Sequence, residues 1–130
     1  MCDVKLLCNK SFSEADREII GCFVDFLKAL TEQNLDKLNE MALDCDDFIN
    51  LVGVQSKGEF ISGVGNDSLK FITCEILDPT ILFDDENTAS LIGKVRLTVE
   101  INGKELRLIS DSVVSFQKID EEWHIMKWES

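Results

Sequence analysis

His124 is the single histidine of this 130-residue chain and its natural acid or base near neutral pH. It stands between Trp123 and Ile125 in an alternating run. If those two apolar residues point into a core, His124 points to the opposite face, toward solvent or a partner copy. Asp47 and Asp111 are the other groups that could move a proton, but each has the opposite parity to the inner face assigned to its neighbours Asn50 and Ser112. Asn50 and Ser112 themselves fall at inward parity among apolar residues. A buried amide and a buried alcohol need partners, supplied either by a molecule that they orient or by backbone and ordered water.

Asp44, Asp46 and Asp47 could attract a hard cation, but the glycine and glutamate of a calcium loop are missing, so they read as a solvated helix end. The five cysteines (Cys2, Cys8, Cys22, Cys45 and Cys74) contain no C-x-x-C pair. They read as reduced thiols, Cys22 and Cys74 packed as small hydrophobes and Cys2 and Cys8 exposed. No metal, no cofactor and no catalytic cysteine is expected.

The elements that must position these groups follow from capping signals and periodicity. Ser13 with Asp16 opens a helix that runs to about Glu32, whose Ile19, Ile20, Phe23, Phe26, Leu27 and Leu30 recur at three- and four-residue steps as one stripe. Asn34 caps a second, shorter helix. Phe48 to Val52 reads as a strand or strand-like bend, with Phe48, Asn50 and Val52 on one side. Ser56 and Glu59 form a capping box for a third, short helix carrying Phe60, Ile61 and Val64.

From Ser68 the period becomes two, and Asp78-Pro79 marks a bend or edge because proline donates no ladder hydrogen bond. A new strand is expected from Ile81. Asp84 to Asn87 turns the chain, and Ala89, Leu91, Val95, Leu97, Val99 and Ile101 line one face of a long strand. Asn102-Gly103 suits a type I′ turn. The partner strand puts Leu106, Leu108, Val114 and Phe116 on one face, interrupted by Ser110 and Ser112. A last strand carries Trp123 and Ile125 inward, with His124 and Trp128 on an outer patch.

Apolar residues make up 45% of the chain and charged ones 29%, the composition of a globular domain. The size and the absence of repeats, linkers or low-complexity tracts predict one domain over residues 1–130. A net charge of −12 disfavours phosphate backbones and anionic lipid surfaces. No nucleic acid and no membrane partner is expected, and no apolar stretch or basic leader is present that would take the chain out of the cytoplasm.

This order, with the S-x-G-E-F helix at Ser56 to Phe60 and a meander ending F-x-K-x-D-x-x-W-x-I from Phe116 to Ile125, resembles the nuclear transport factor 2-like superfamily from about Ser11 onward. That group includes the SnoaL-like and ketosteroid isomerase-like proteins. The run Gln55 to Ile61, with Ser68 to Phe71 and Trp123 to Ile125, is similar to small uncharacterised bacterial members. The resemblance implies an α+β, cystatin-like cone in which three N-terminal helices pack on a strongly curved, mostly antiparallel sheet. It also implies a cavity at the wide end and homodimers through the outer sheet face.

In the isomerase branch a tyrosine, a basic carboxylate and a protonated strand acid perform proton transfer; by motif these positions fall on Phe26, Asn50 and Ser112. All three have lost the required group, and the chain contains no tyrosine at all. The leading expectation is therefore a non-enzymatic domain binding a small hydrophobic or amphipathic molecule in a mostly apolar pocket touched by Phe26, Asn50 and Ser112. Two alternatives stand beside it. One is a SnoaL-like isomerase or cyclase using Asp47, Asp111 or His124 as base, and the other is an interaction module working through its outer sheet face.

Overall fold

The computed structural model describes residues 4–8, 11–51, 53 and 55–130; Cys2 and Val52 lie outside them. Three helices lie on one face of a five-stranded sheet with the order β1-β2-β3-β4-β5. The helices are α1 (Glu14–Glu32), α2 (Leu35–Met41) and α3 (Lys57–Gly65). The strands are β1 (Val4–Leu7), β2 (Leu69–Asp85), β3 (Thr88–Ile101), β4 (Lys104–Ile119) and β5 (Glu122–Glu129).

Each helix starts where its cap places it. Ser13 Oγ accepts from Asp16 N at 3.1 Å, and Asn34 Oδ1 accepts from Lys37 N at 3.3 Å. Ser56 and Glu59 close a reciprocal box, with Glu59 N donating to Ser56 Oγ and Ser56 N to Glu59 Oε1. These contacts satisfy backbone donors that have no partner inside the helix. The stripe on α1 is buried throughout: Ile19, Phe23, Phe26, Leu27 and Leu30 are all fully covered.

The two hairpin turns also follow local chemistry. Asn102 and Gly103 both have positive φ, 51° and 84°, as a type I′ turn requires. Asp120 and Glu121 take the same left-handed region at 52° and 67° without a glycine.

The sheet departs from expectation at its borders. β1 pairs in parallel with β2, Val4 beside Cys74 through Leu7 beside Leu77, so a strand precedes the helices. At Asp78-Pro79, β2 continues as a single strand through a bulge between Leu77 and Thr80. Gly93 on β3 makes room for it: a Cβ there would lie 3.1 Å from Pro79 Cα and 3.2 Å from Leu77 O. Among the described residues the β1–β2 ladder ends at Leu7 beside Leu77.

A second bulge corrects the expected position of Trp128. Phe116 pairs with Ile125 but Ser115 pairs with Lys127, so Met126 is an extra residue and the alternation changes phase. Trp128 is consequently fully buried rather than on an outer patch with His124.

The Phe48 segment forms bridges instead of a strand. Ile49 pairs with Trp128 and with Gln55, which buries Phe48 and Ile49 together. Asn50 is thereby turned to the surface, not inward.

Candidate functional site

The space between α1 and the sheet is occupied by rings. Phe26 meets Phe48 at 6.1 Å and Phe60 at 6.4 Å between centroids, and Phe60 meets Phe71 at 5.9 Å. Phe23 stands edge-on to Trp128 at 5.1 Å and to Phe116 at 6.4 Å. Phe26 and Phe60 are stacked and the other pairs meet edge to face, arrangements favourable for aromatic quadrupoles that leave these side chains as packed core.

Ser112 is 1% exposed, and its polar needs are met from within. Trp128 Nε1 donates to Ser112 Oγ at 3.0 Å, and the hydroxyls of Ser112 and Ser110 lie 3.0 Å apart. Asn50 Oδ1 accepts from Ser130 N at 2.8 Å on the exposed side. Phe26, Asn50 and Ser112 thus have separate surroundings: an aromatic cluster, the surface, and a short internal hydrogen-bond chain.

The three weaker catalytic candidates are also apart. Asp47 is exposed, and Asp111 lies on the outer sheet face with its carboxylate 3.4 Å from Lys94 Nζ. His124 is half-buried with Nδ1 3.0 Å from Glu40 O, at the end of α2. Since a carbonyl only accepts, Nδ1 carries the proton. Asp111 and Ser112 both border the depression on the outer sheet face, but the Ser112 hydroxyl is engaged with Trp128 and Ser110. The acids after α2 are similarly dispersed: Asp44 pairs with Lys57 at 3.8 Å, and no group of three metal-ligating side chains is gathered among the described residues.

The Cys22 thiol has its pKa pushed up to about 12, first by burial and then by the neighbouring charge of Asp25. Its Sγ lies 3.6 Å from Trp123 O. A neutral thiol in this setting is a packing group.

The outer sheet face is less complete. Leu82, Ile92 and Ile109 are 51%, 39% and 65% exposed, large values for residues on strand faces. A shallow depression of about 560 Å³ lies beside Ile92, walled by Leu77, Ile92 and Val113 and bordered by Lys94 and Asp111. Opposite charges face each other across neighbouring strands: Lys70 opposite Glu100, Glu75 opposite Arg96, and Lys94 opposite Asp111. The Arg96–Glu75 pair closes to 3.1 Å.

A second concavity, of about 350 Å³, lies between α3 and the start of β2 and end of β3. Glu59, Ser62 and Asn66 reach it from one side of α3, and Gln55, Ile101 and Asn102 complete much of its wall. Among the described residues, Gln55 Oε1 and Trp123 Nε1 are buried polar side-chain atoms without a partner. Sequence reasoning missed this cleft. Its signal was present on α3, where Glu59, Ser62 and Asn66 recur at helical spacing opposite the buried Phe60, Ile61 and Val64.

No family model matches the chain, and no match to a curated protein is found. Solved structures do match over nearly the whole length. An NTF2-like protein from Cytophaga hutchinsonii superposes with a TM-score of 0.74 at 16% identity, over 91% of this chain and 97% of that one. A structure from Exiguobacterium sibiricum, described as a candidate Ca/calmodulin-dependent kinase II association domain, gives 0.74 at 13% identity, over 93% and 95%. A candidate scytalone dehydratase from Novosphingobium aromaticivorans gives 0.65 at 15% identity, over 88% and 81%. At such identities the likeness is one of architecture, and it agrees with the helices, the open curved sheet and the strand order described above: the chain has the NTF2-like, cystatin-like α+β fold.

Proposed function

We propose that this chain is a non-catalytic NTF2-like domain that forms a homodimer through the outer face of its sheet. The observation that carries the reading is the exposed apolar set Leu82, Ile92 and Ile109, with a depression beside Ile92, on a sheet whose opposite face is packed. Exposed apolar surface of this kind is what an interface covers. A second copy is the partner of choice because the face matches itself in charge. Lys94 and Arg96 sit beside Asp111 and Glu75, so two copies related by a two-fold axis can set each sign against the other. Elsewhere the chain is strongly acidic, with a net charge of −12, and repels its own kind. The neighbour described as an association domain supports the same reading.

Sedimentation of the purified protein tests it. The wild type sediments as a dimer, and Ile92→Arg as a folded monomer; a wild type that remains monomeric at high concentration overturns the proposal.

A small hydrophobic or amphipathic molecule is a second reading, favoured by the apolar wall that Leu77, Ile92 and Val113 give the same depression. It would compete with the second copy, so adding it dissociates the dimer. The reduced thiols of Cys22 and Cys45 suit a reducing compartment, and we place the protein in the cytoplasm on that ground. No helix among the described residues is long and apolar enough to cross a membrane.

A further inference from the structure

We propose that two copies of this chain exchange ion-pair partners when they dimerise, Lys94 of each meeting the partner's Asp111 across a two-fold axis that runs along the strands between β3 and β4. The inference rests on the outer-face dimer proposed above, and it adds what makes that face select a second copy of itself.

The register of β3 and β4 lays the outer face out in rows. Ile92 stands beside Val113, Lys94 beside Asp111 and Arg96 beside Ile109. The two ion pairs among these strands differ in how firmly they are held. Arg96 meets Glu75 at 3.1 Å, and the Glu75 side chain is only 26% exposed. Lys94 and Asp111 stand 3.4 Å apart with their side chains 60% and 85% open to water. An exposed pair of this kind gains little from its own contact, so its members are free to turn to a partner copy.

The position of the axis follows from the charges. Sheets that pack face to face keep their strands nearly aligned, so the two-fold axis lies in the plane between them. An axis across the strands keeps β3 over β3 and never brings Lys94 to Asp111. Running along β3 it would set Lys94 on the partner's Lys94, and along β4 it would set Asp111 on the partner's Asp111. Between the two strands it joins unlike charges twice, and the same operation lays Ile92 on the partner's Val113. Side-chain lengths agree with this arrangement, since a long lysine opposite a short aspartate spans the roughly 10 Å between packed sheets. Val113 and Leu77 wall the depression beside Ile92, so the partner's Ile92 enters a concavity already formed. A foreign protein offering apolar surface alone would strip water from Lys94 and Asp111 and give them no partner in return.

Sedimentation equilibrium of Lys94→Glu and Asp111→Lys, each alone and then mixed in equal amounts, tests the exchange. Both positions are exposed, so the variants should keep the wild-type melting curve. Either variant alone sets like charges together twice and should self-associate about tenfold more weakly than wild type, or worse. In the mixture the new glutamate meets the new lysine while the native Lys94 meets the native Asp111, so dimers should return with an affinity near that of wild type. Wild-type affinity in either variant alone, or a mixture no tighter than its components, overturns the exchange and leaves the outer-face dimer to stand on the Ile92→Arg result. A wild type that stays monomeric removes the outer-face reading, and the exchange falls with it.

Discussion

The two faces of β3 and β4 are made by the same strands yet end in opposite conditions. On the inner side Leu91, Val95, Leu97, Val99, Val114 and Phe116 are covered to 0% exposure, and the two serines among them are closed by each other and by Trp128. On the outer side, one residue along, Ile92 and Ile109 remain open to water among paired charges. Alternation alone would give a polar outer face on a sheet with a single core. The difference shows where unspent binding capacity lies on these two strands: the serines of the inner face already have partners, whereas the outer face has apolar area without cover.

The contrast can be broken most forcefully from inside. Phe26→Ala should cost about 3–5 kcal/mol in urea unfolding, because the ring packs against Phe48 and Phe60 with no space to collapse into. Phe26→Tyr asks a sharper question. If the inner space is filled, the hydroxyl finds no partner and stability falls by about 1–3 kcal/mol; an unchanged midpoint would reveal room and polarity beside the ring.

On the outer face the corresponding change should leave the folded chain nearly untouched. Ile92→Arg should weaken self-association by about a hundredfold, measured by sedimentation equilibrium, with the unfolding free energy of the monomer within about 0.5 kcal/mol of wild type. Ser112→Ala returns to the interior with an intermediate effect. It strands the indole N–H of Trp128, for a loss of about 1–3 kcal/mol, and Ser110→Ala should cost less, about 0.5–1.5 kcal/mol, since Ser112 still accepts from Trp128.

The smallest effect is confined to alkaline pH. Cys22 holds its proton to about pH 12 in the folded protein, against an ordinary value of 9.0. Between those values the folded state binds more protons than the unfolded one, so the stability is complete below pH 9.0 and is lost as pH rises toward 12. The slope from this thiol is at most about 1.4 kcal/mol per pH unit. Comparing Cys22→Ala with wild type by denaturation from pH 8 upward, on the order of one-unit steps, should remove that component and leave the lysine titration common to both.

Local signals carried most of the architecture. Ser13, Asn34 and Ser56 begin their helices, Asn102-Gly103 turns its hairpin, and the inward set on β3 is the one that alternation selects. What escaped was non-local. Val4–Leu7 is too short to declare itself and becomes a strand through pairing with residues about Cys74 to Leu77. Asn50 and Trp128 were assigned to the wrong faces because phase was extrapolated through irregular backbone: a one-residue bulge at Met126 and a bridge at Ile49 each reset it. The α3 cleft was hidden for a related reason. Its walls come from segments far apart in sequence, and only tertiary packing could reveal that Gln55 is left without a donor.

The bridging segment before α3 has one more consequence. Leu43 N donates to Ile125 O, Trp128 N to Phe48 O, and Asn50 N to Trp128 O, so the free side of β5 is already bonded. At the other end the sheet is closed by β1, whose four residues, Val4–Leu7, give a foreign strand only a short template.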